Sequence, residues 1–302
     1  MEPKIIMMVG PPGSGKSTKA IELAQEYDAE IFASDKLREE LFGDVNHQTD
    51  NNKLFIELHR RIKECLREGK SVIYDATDLS YKKRMAFLKE LKNIPCEKIA
   101  YLMATPYEEC IKNNENRERK VPREVIDRMY RHFDPPAWYE GWDDIIADYA
   151  LFGYYGYYRT PEWFMNRYEN YDQFNHHHSD TLGVHSQKVY EQLIGNRTLE
   201  YAGMLHDCGK PKTASFTNAK GEESDECHYY QHHCISSYDA LFYEMRDGVS
   251  ELDVSILCRW HMQPYFWERN NDEKMHEKYK RLWGEELYND VMKLHKADVE
   301  AH

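Results

Sequence analysis

Nine consecutive residues, Gly10-Pro11-Pro12-Gly13-Ser14-Gly15-Lys16-Ser17-Thr18, have the types and spacing of a phosphate-binding loop. The glycines let backbone N–H groups approach phosphate oxygens, Lys16 can reach the β and γ phosphates, and the Ser17 hydroxyl can ligate magnesium. The pattern GxxxxGK[ST] points to ATP or another nucleoside triphosphate with Mg2+, held by Gly10, Gly13, Ser14, Gly15, Lys16, Ser17 and Thr18. Three downstream segments offer acceptor-side chemistry. In SDKLREEL, Asp35 and Arg38 share a helical face, so Asp35 can take a proton from a hydroxyl while Arg38 holds a phosphate. VIYDATDLS puts Asp75, Thr77 and Asp78 at the carboxyl end of a strand, where open α/β sheets bind ligands. NRERKVPREVIDRM gathers Arg117, Arg119, Lys120 and Arg123, a lid that can bring charge to a transferring phosphoryl group. Singly, each segment also fits a capping aspartate, a turn or a solvated basic helix.

The second half carries a different set: His185, the doublet His206-Asp207, then His232, His233 and His261, then Asp298. Imidazoles and carboxylates in this mixture suit Mn, Fe, Ni, Zn or Mg, and residues from separate helices can converge on one centre in a bundle. Neighbours on a helix diverge by roughly 100°, so the doublet can share an ion only at the mouth of such a bundle.

The elements that must position these residues differ between the halves. Ile5 to Val9, Ser71 to Tyr74 and Lys98 to Met103 read as strands, alternating with helical stretches such as Ser17 to Glu26. That alternation predicts an α/β domain with a parallel sheet and flanking helices over 1–150. A Tyr-rich connector over 151–172 follows. The aromatic boundary stretch, with Tyr149, Tyr154, Tyr155, Tyr157 and Tyr158, can stack bases, although packing between domains is the simpler reading. Beyond it strand signals vanish, and helices such as Ser236 to Arg246 and Glu251 to His261 predict an all-α domain over 173–302.

Composition narrows the classes. The chain has 302 residues and a net charge of −13, with −4 over 1–150 and −9 over 151–302, which argues against a broad basic surface gripping duplex nucleic acid. No apolar run approaches the ~20 residues of a membrane span and no signal-peptide pattern opens the chain, so a phage or bacterial cytoplasm is the expected location. Seven scattered cysteines without a CxxC pair predict reduced thiols.

The ordered segments GPPGSGKST, SDKLREEL, VIYDATDLS and NRERKVPREVIDRM resemble the kinase domain of phage-type 5′-hydroxyl polynucleotide kinases over about 1–145. The resemblance implies an α/β P-loop kinase domain in which Asp35 is the general base. It also implies that Arg38 and Thr77 contact the acceptor phosphate and that Arg117 contacts the donor phosphates. The Asp-x-Asp phosphatase domain that often follows in those relatives is not evident.

The order H…HD…H…H…D resembles the HD phosphohydrolase superfamily, and within it the HD domain of bacterial CCA-adding tRNA nucleotidyltransferases over about 175–302. The carrying segments are HSDTLGVHSQKV, AGMLHDCGKPKTASF, HYYQHHCISSYDAL, LCRWHMQP and LHKADVEAH. The resemblance implies that His185, His206, Asp207 and Asp298 bind one divalent metal, with Asp207 able to bridge to a second at His232 and His261. It favours His232 over His233, places Lys210 near substrate phosphate, and leaves His178 lining the pocket. Such a metal lowers the pKa of water and polarises a phosphoryl oxygen. Together the two likenesses imply an enzyme that heals single-stranded RNA or DNA ends. It would phosphorylate a 5′-OH and hydrolyse a 2′,3′-cyclic or terminal phosphate, leaving sealing to a separate ligase. A nucleoside or nucleotide kinase fused to an HD nucleotidase is the alternative.

Overall fold

The computed structural model describes residues 2–47, 49–77, 79–149, 159–176 and 179–301. The chain divides into two compact units, Met1–Ile126 with Pro136–Tyr155, and Asp127–Pro135 with Gly156–His302.

The first unit begins with β1 (Lys4–Val9), the phosphate loop and α1 (Lys16–Glu26), followed by β2 (Ala29–Ala33), α2 (Ser34–Phe42) and α3 (Asn51–Arg67). Then come β3 (Ser71–Asp75), α4 (Tyr81–Glu90), β4 (Glu97–Met103), α5 (Tyr107–Glu115), α6 (Arg123–Tyr130) and β5 (Asp144–Asp148). All pairings are parallel in the order β2-β3-β1-β4-β5. Alternation along β1 explains the two-sided core: Ile5 and Met7 face Leu54, Leu58, Ile62 and Phe87, whereas Ile6 and Met8 face Ala20 and Leu23. Because both faces are covered, the central strands read as continuous apolar runs. The edge strands β2 and β5 do not. They carry charge at Glu30, Asp144 and Asp148, and the sequence pattern missed both.

The second unit holds α7 (Pro161–Arg167), α8 (Leu182–Gln192), α9 (Arg197–Leu205), α10 (Lys210–Thr213), β6 (Ser215–Thr217) and β7 (Glu223–His228). It continues with α11 (His232–Ala240), α12 (Glu251–Trp260), α13 (Gln263–Arg269), α14 (Glu273–Trp283) and α15 (Glu285–Glu300). The expectation of an all-α domain is corrected here, since β6 and β7 form an antiparallel hairpin. ESDECH alternates without a strongly apolar face, so its strand period carried no hydrophobic signal. The helix expected over 236–246 instead starts at His232 and stops at Ala240, after which Tyr243 bridges to Arg159. Helices α11 and α12 pack together, α9 lies against α8 and α12, and α15 closes against all three of these last elements.

The boundary also differs from the expected one. Residues 127–135 belong to the second unit, where Tyr130 and Phe133 meet the Tyr238 ring edge-on at 5.2 and 4.8 Å and Asp134 pairs with Arg259 at 2.6 Å. Among the described residues, no helix is long and apolar enough to cross a membrane.

Candidate functional site

The phosphate loop lies between the carboxyl end of β1 and the first turn of α1. Gly13 has φ +83°, and a Cβ built there would stand 2.1 Å from the Cys110 carbonyl oxygen, so only glycine fits. Asn113 Nδ2 donates to Gly13 O at 3.0 Å and Thr105 Oγ1 to Ser14 O at 2.9 Å, which pin the loop from α5 and the end of β4. Lys16 folds over the loop to donate to Pro11 O at 2.9 Å, and burial pulls its ammonium below the ordinary lysine value. β1 and β3 are neighbours, so the last residue of β3 meets the start of α1: Ser17 Oγ donates to Asp75 Oδ2 at 2.8 Å. A hydroxyl and a carboxylate side by side next to a buried lysine fit Mg2+ and nucleotide phosphates.

Asp35 sits in the first turn of α2. Arg38 Nη1 donates to its Oδ1 at 2.8 Å and Arg38 Nη2 to Asn51 Oδ1 at 3.0 Å. Arg38 is buried, and its Nε has no hydrogen-bond partner among the described residues. The second carboxylate oxygen, Oδ2, accepts a hydrogen bond from Arg119, a contact the spacing did not disclose. Arg117 is exposed in the same loop, and its charge is felt at Lys16. Asn114 ties the loop's two ends by exchanging hydrogen bonds with the backbone of Val121, both at 2.9 Å. Thr77 is half-buried beyond β3, while Asp78 lies outside the described residues.

The second unit brings the histidines and aspartates together. His185 comes from α8, Asp298 from α15, and His232 opens α11; His206 and His261 cap the C-termini of α9 and α12. The doublet occupies the turn between α9 and α10, and that location lets both neighbours face one centre. Asp207 divides its oxygens. Oδ2 lies 3.4 Å from His206 Nε2 and 3.7 Å from His185 Nε2, and Oδ1 lies 3.2 Å from His232 Nε2 and 3.8 Å from His261 Nε2. Asp298 Oδ1 joins the first group, 3.0 Å from His185 Nε2 and 3.5 Å from His206 Nε2. Both sets, His185-His206-Asp207 and Asp207-His232-His261, have donor atoms close enough to hold an ion. His233 belongs to neither.

The donor chemistry tests the fit. His206 Nδ1 donates to Gly203 O at 2.8 Å and His261 Nδ1 to Cys258 O at 2.7 Å, each using a last-turn carbonyl that lacks an intrahelical partner. His232 Nδ1 donates likewise to Tyr229 O at 2.8 Å. With Nδ1 committed to a carbonyl, each ring turns Nε2 inward, where a neutral imidazole offers a lone pair to a cation, and burial holds His261 in that form by lowering it to about 3. Two such lone pairs, on His232 and His261, face each other at 3.3 Å, an arrangement that favours a cation between them. The charges agree. Burial works against an imidazolium at His206, yet Asp207 and Asp298 outweigh it and push this group up to about 10. The centre is built for positive charge.

Lys210 does not point to solvent as a free phosphate hand. It is buried, with Nζ 2.6 Å from Asp207 Oδ2 and 2.7 Å from Gln173 Oε1. Gln173, which the sequence did not single out, is held in turn by donating to Asp180 O at 3.1 Å. His178 lies outside the described residues, as do Tyr154, Tyr155, Tyr157 and Tyr158.

Comparison with known proteins bears on the first unit. Residues 5–136 match a family model described as an AAA domain. Over 151 residues the chain is 29% identical to the L-seryl-tRNA(Sec) kinase of Methanococcus maripaludis, covering 48% of this chain and 58% of that protein. The chain therefore spans little more than half the length of this relative. Among solved structures, a Pnkp1/Rnl/Hen1 RNA repair complex is 24% identical over 42% of each chain with a TM-score of 0.36. A gluconokinase from Sinorhizobium meliloti is 17% identical over 48% of this chain and 81% of that one, at 0.35. The first unit carries a complete phosphate loop at the carboxyl end of a parallel sheet strand, and such a loop takes a nucleotide with Mg2+.

Proposed function

We propose that the chain is a bifunctional enzyme that heals nucleic-acid ends, RNA ends foremost. The first unit transfers the γ-phosphoryl group of ATP to a 5′-hydroxyl, and the second hydrolyses a 2′,3′-cyclic phosphate or a terminal 2′- or 3′-phosphate. The observation that carries this reading is Asp207, whose two oxygens are shared between two histidine groups in a chain that also holds a complete phosphate loop.

In the kinase step Lys16 and the loop amides hold the donor phosphates, with Ser17 and Asp75 beside the Mg2+ position. Asp35 takes the proton of the attacking hydroxyl while Arg38 holds the acceptor phosphate. In the hydrolytic step His185, His206, Asp207 and Asp298 would hold one divalent cation and Asp207, His232 and His261 a second, Mn2+, Ni2+, Mg2+, Fe2+ or Zn2+ being suitable. Bound there, the cation supplies positive charge that polarises a phosphoryl oxygen and acidifies water. Lys210 and Gln173 fix the orientation of Asp207. Single-stranded ends are the substrates, and sealing falls to a separate ligase.

Labelled γ-phosphate from ATP should move to a 5′-OH oligonucleotide. Transfer to free nucleosides alone would favour a nucleoside kinase fused to a nucleotidase.

A further inference from the structure

Gln173 and Phe174 are chain neighbours that face opposite ways: Gln173 is buried, with Oε1 on Lys210 Nζ at 2.7 Å, whereas Phe174 is 57% exposed. Phe174 has φ +48°, a left-handed conformation that is strained for so bulky a residue. Bonds on either side hold it there. Its N–H donates to Asp172 Oδ1 at 2.7 Å, its carbonyl accepts from Cys227 N at 2.8 Å, and Asn175 Nδ2 donates to Cys227 O at 2.8 Å. His176 pairs with Glu226 one step further along β7. The ring so presented meets Phe216 of β6, itself 49% exposed, with centroids 6.0 Å apart and planes at 61°. Both rings lead back to the Asp207 centre, Phe174 through Gln173 and Lys210, and Phe216 through the short run of chain from Lys210 in α10 to β6.

Aromatic rings held in water beside a buried polar centre fit a ligand that is flat and apolar at one end and charged at the other. Charge narrows the choice. The hairpin over 215–228 bears Glu222, Glu223, Asp225 and Glu226 against Lys220, a balance that repels a phosphate backbone or an anionic membrane but admits a neutral ring. We propose that Phe174 and Phe216 form a stacking platform for the terminal nucleobase of the strand whose 3′-end phosphate enters the Asp207 centre. The phosphate points inward to the positive charge that the centre is built for, the base lies outward on the rings, and the rest of the strand leaves away from the acidic hairpin. With their planes inclined, the two rings offer a base one face and one edge. Every base has a π-face, so the platform requires a base but reads no sequence. The substrate class follows: 2′,3′-cyclic or terminal phosphates on a base-bearing nucleotide of any identity, in preference to abasic sugar phosphates. This inference rests on the hydrolase reading of the second unit.

The test uses the full chain and a single-stranded RNA ending in a 2′,3′-cyclic phosphate, its last nucleotide intact, abasic or carrying 2-aminopurine. The fluorescence of 2-aminopurine reports stacking without any turnover. The unmodified protein should quench it on binding, hydrolyse the four natural ends at similar rates and favour them over the abasic end. Phe174→Ala and Phe216→Ala should each lower kcat/KM for intact ends by roughly 5- to 100-fold, mainly through KM, the usual effect of losing one stacked base. Both should weaken the quenching and the preference over the abasic end, and Phe174→Tyr should restore them. Quenching that survives in both alanine variants, or equal handling of intact and abasic ends by the unmodified protein, would overturn the platform alone. So would a dimer of the unmodified protein that Phe216→Ala dissolves, since a second copy would then cover the rings. Hydrolysis of no end by the unmodified protein overturns the hydrolase reading itself, and the quenching then decides the platform separately.

Discussion

Lys210 Nζ and Asp207 Oδ2 lie 2.6 Å apart, both buried, and the lysine is held from behind by Gln173. The pair fixes the carboxylate on which both histidine groups converge. Lys210→Met should lower phosphoester hydrolysis by roughly 10- to 100-fold, the usual effect of removing a group that orients a metal ligand. Kinase activity should be unchanged. Hydrolysis at the original rate would mean that Asp207 needs no such support.

The division of Asp207 between two groups makes metal content a graded readout. Elemental analysis should find two ions per chain in the unmodified protein and one in His261→Ala, which leaves His185, His206 and Asp298 in place. Asp207→Ala should hold none. Equal retention in His261→Ala and the unmodified protein would remove the second position.

Much of this was legible in the sequence, for physical reasons that differ by residue. β1 and the phosphate loop were visible because a strand buried on both faces is an unbroken apolar run and the loop's glycines cannot be replaced. The histidine and aspartate set was visible as an order of residue types, although nothing in the spacing said that the doublet would lie in a turn. Gln173 was hidden, and so was the contact that Arg119, already named in the lid segment, makes with Asp35. Each acts on a residue far away in the chain, Lys210 and Asp35, and a contact at that separation leaves no periodic trace. The hairpin was hidden because a charged, half-exposed strand has no apolar alternation.

Gly209 carries a further prediction. A Cβ there would lie 2.4 Å from the His232 carbonyl oxygen and 2.7 Å from Ser236 N, backbone atoms that cannot easily yield. Gly209→Ala should destabilise the second unit by about 1–3 kcal/mol, as overpacking does, and displace His232 from Asp207. Thermal unfolding together with hydrolysis measures both. An unaltered melting transition would show that α11 can retreat without cost.

In the first unit, Arg84 and Glu140 form a fully buried pair, with Nε to Oε2 at 2.7 Å and Nη2 to Oε1 at 2.6 Å. Burial raises the Glu140 carboxyl above its ordinary range even with this partner. Arg84→Ala leaves a buried carboxylate without its cation and should cost about 3–5 kcal/mol of stability. Arg84→Met with Glu140→Leu should recover most of it. Urea titration of the single and double variants checks the pair, and a double variant no better than the single would contradict the assignment.

The central claim is that one chain repairs both ends of a break at separate sites. An RNA bearing a 5′-OH and a 2′,3′-cyclic phosphate, incubated with ATP, Mg2+ and Mn2+ or Ni2+, reads both ends at once. The unmodified protein should give a 5′-phosphate and an opened ring, Lys16→Ala only the opened ring, and Asp207→Ala only the 5′-phosphate. A ring left intact by every protein, or loss of both reactions in either folded variant, would contradict it.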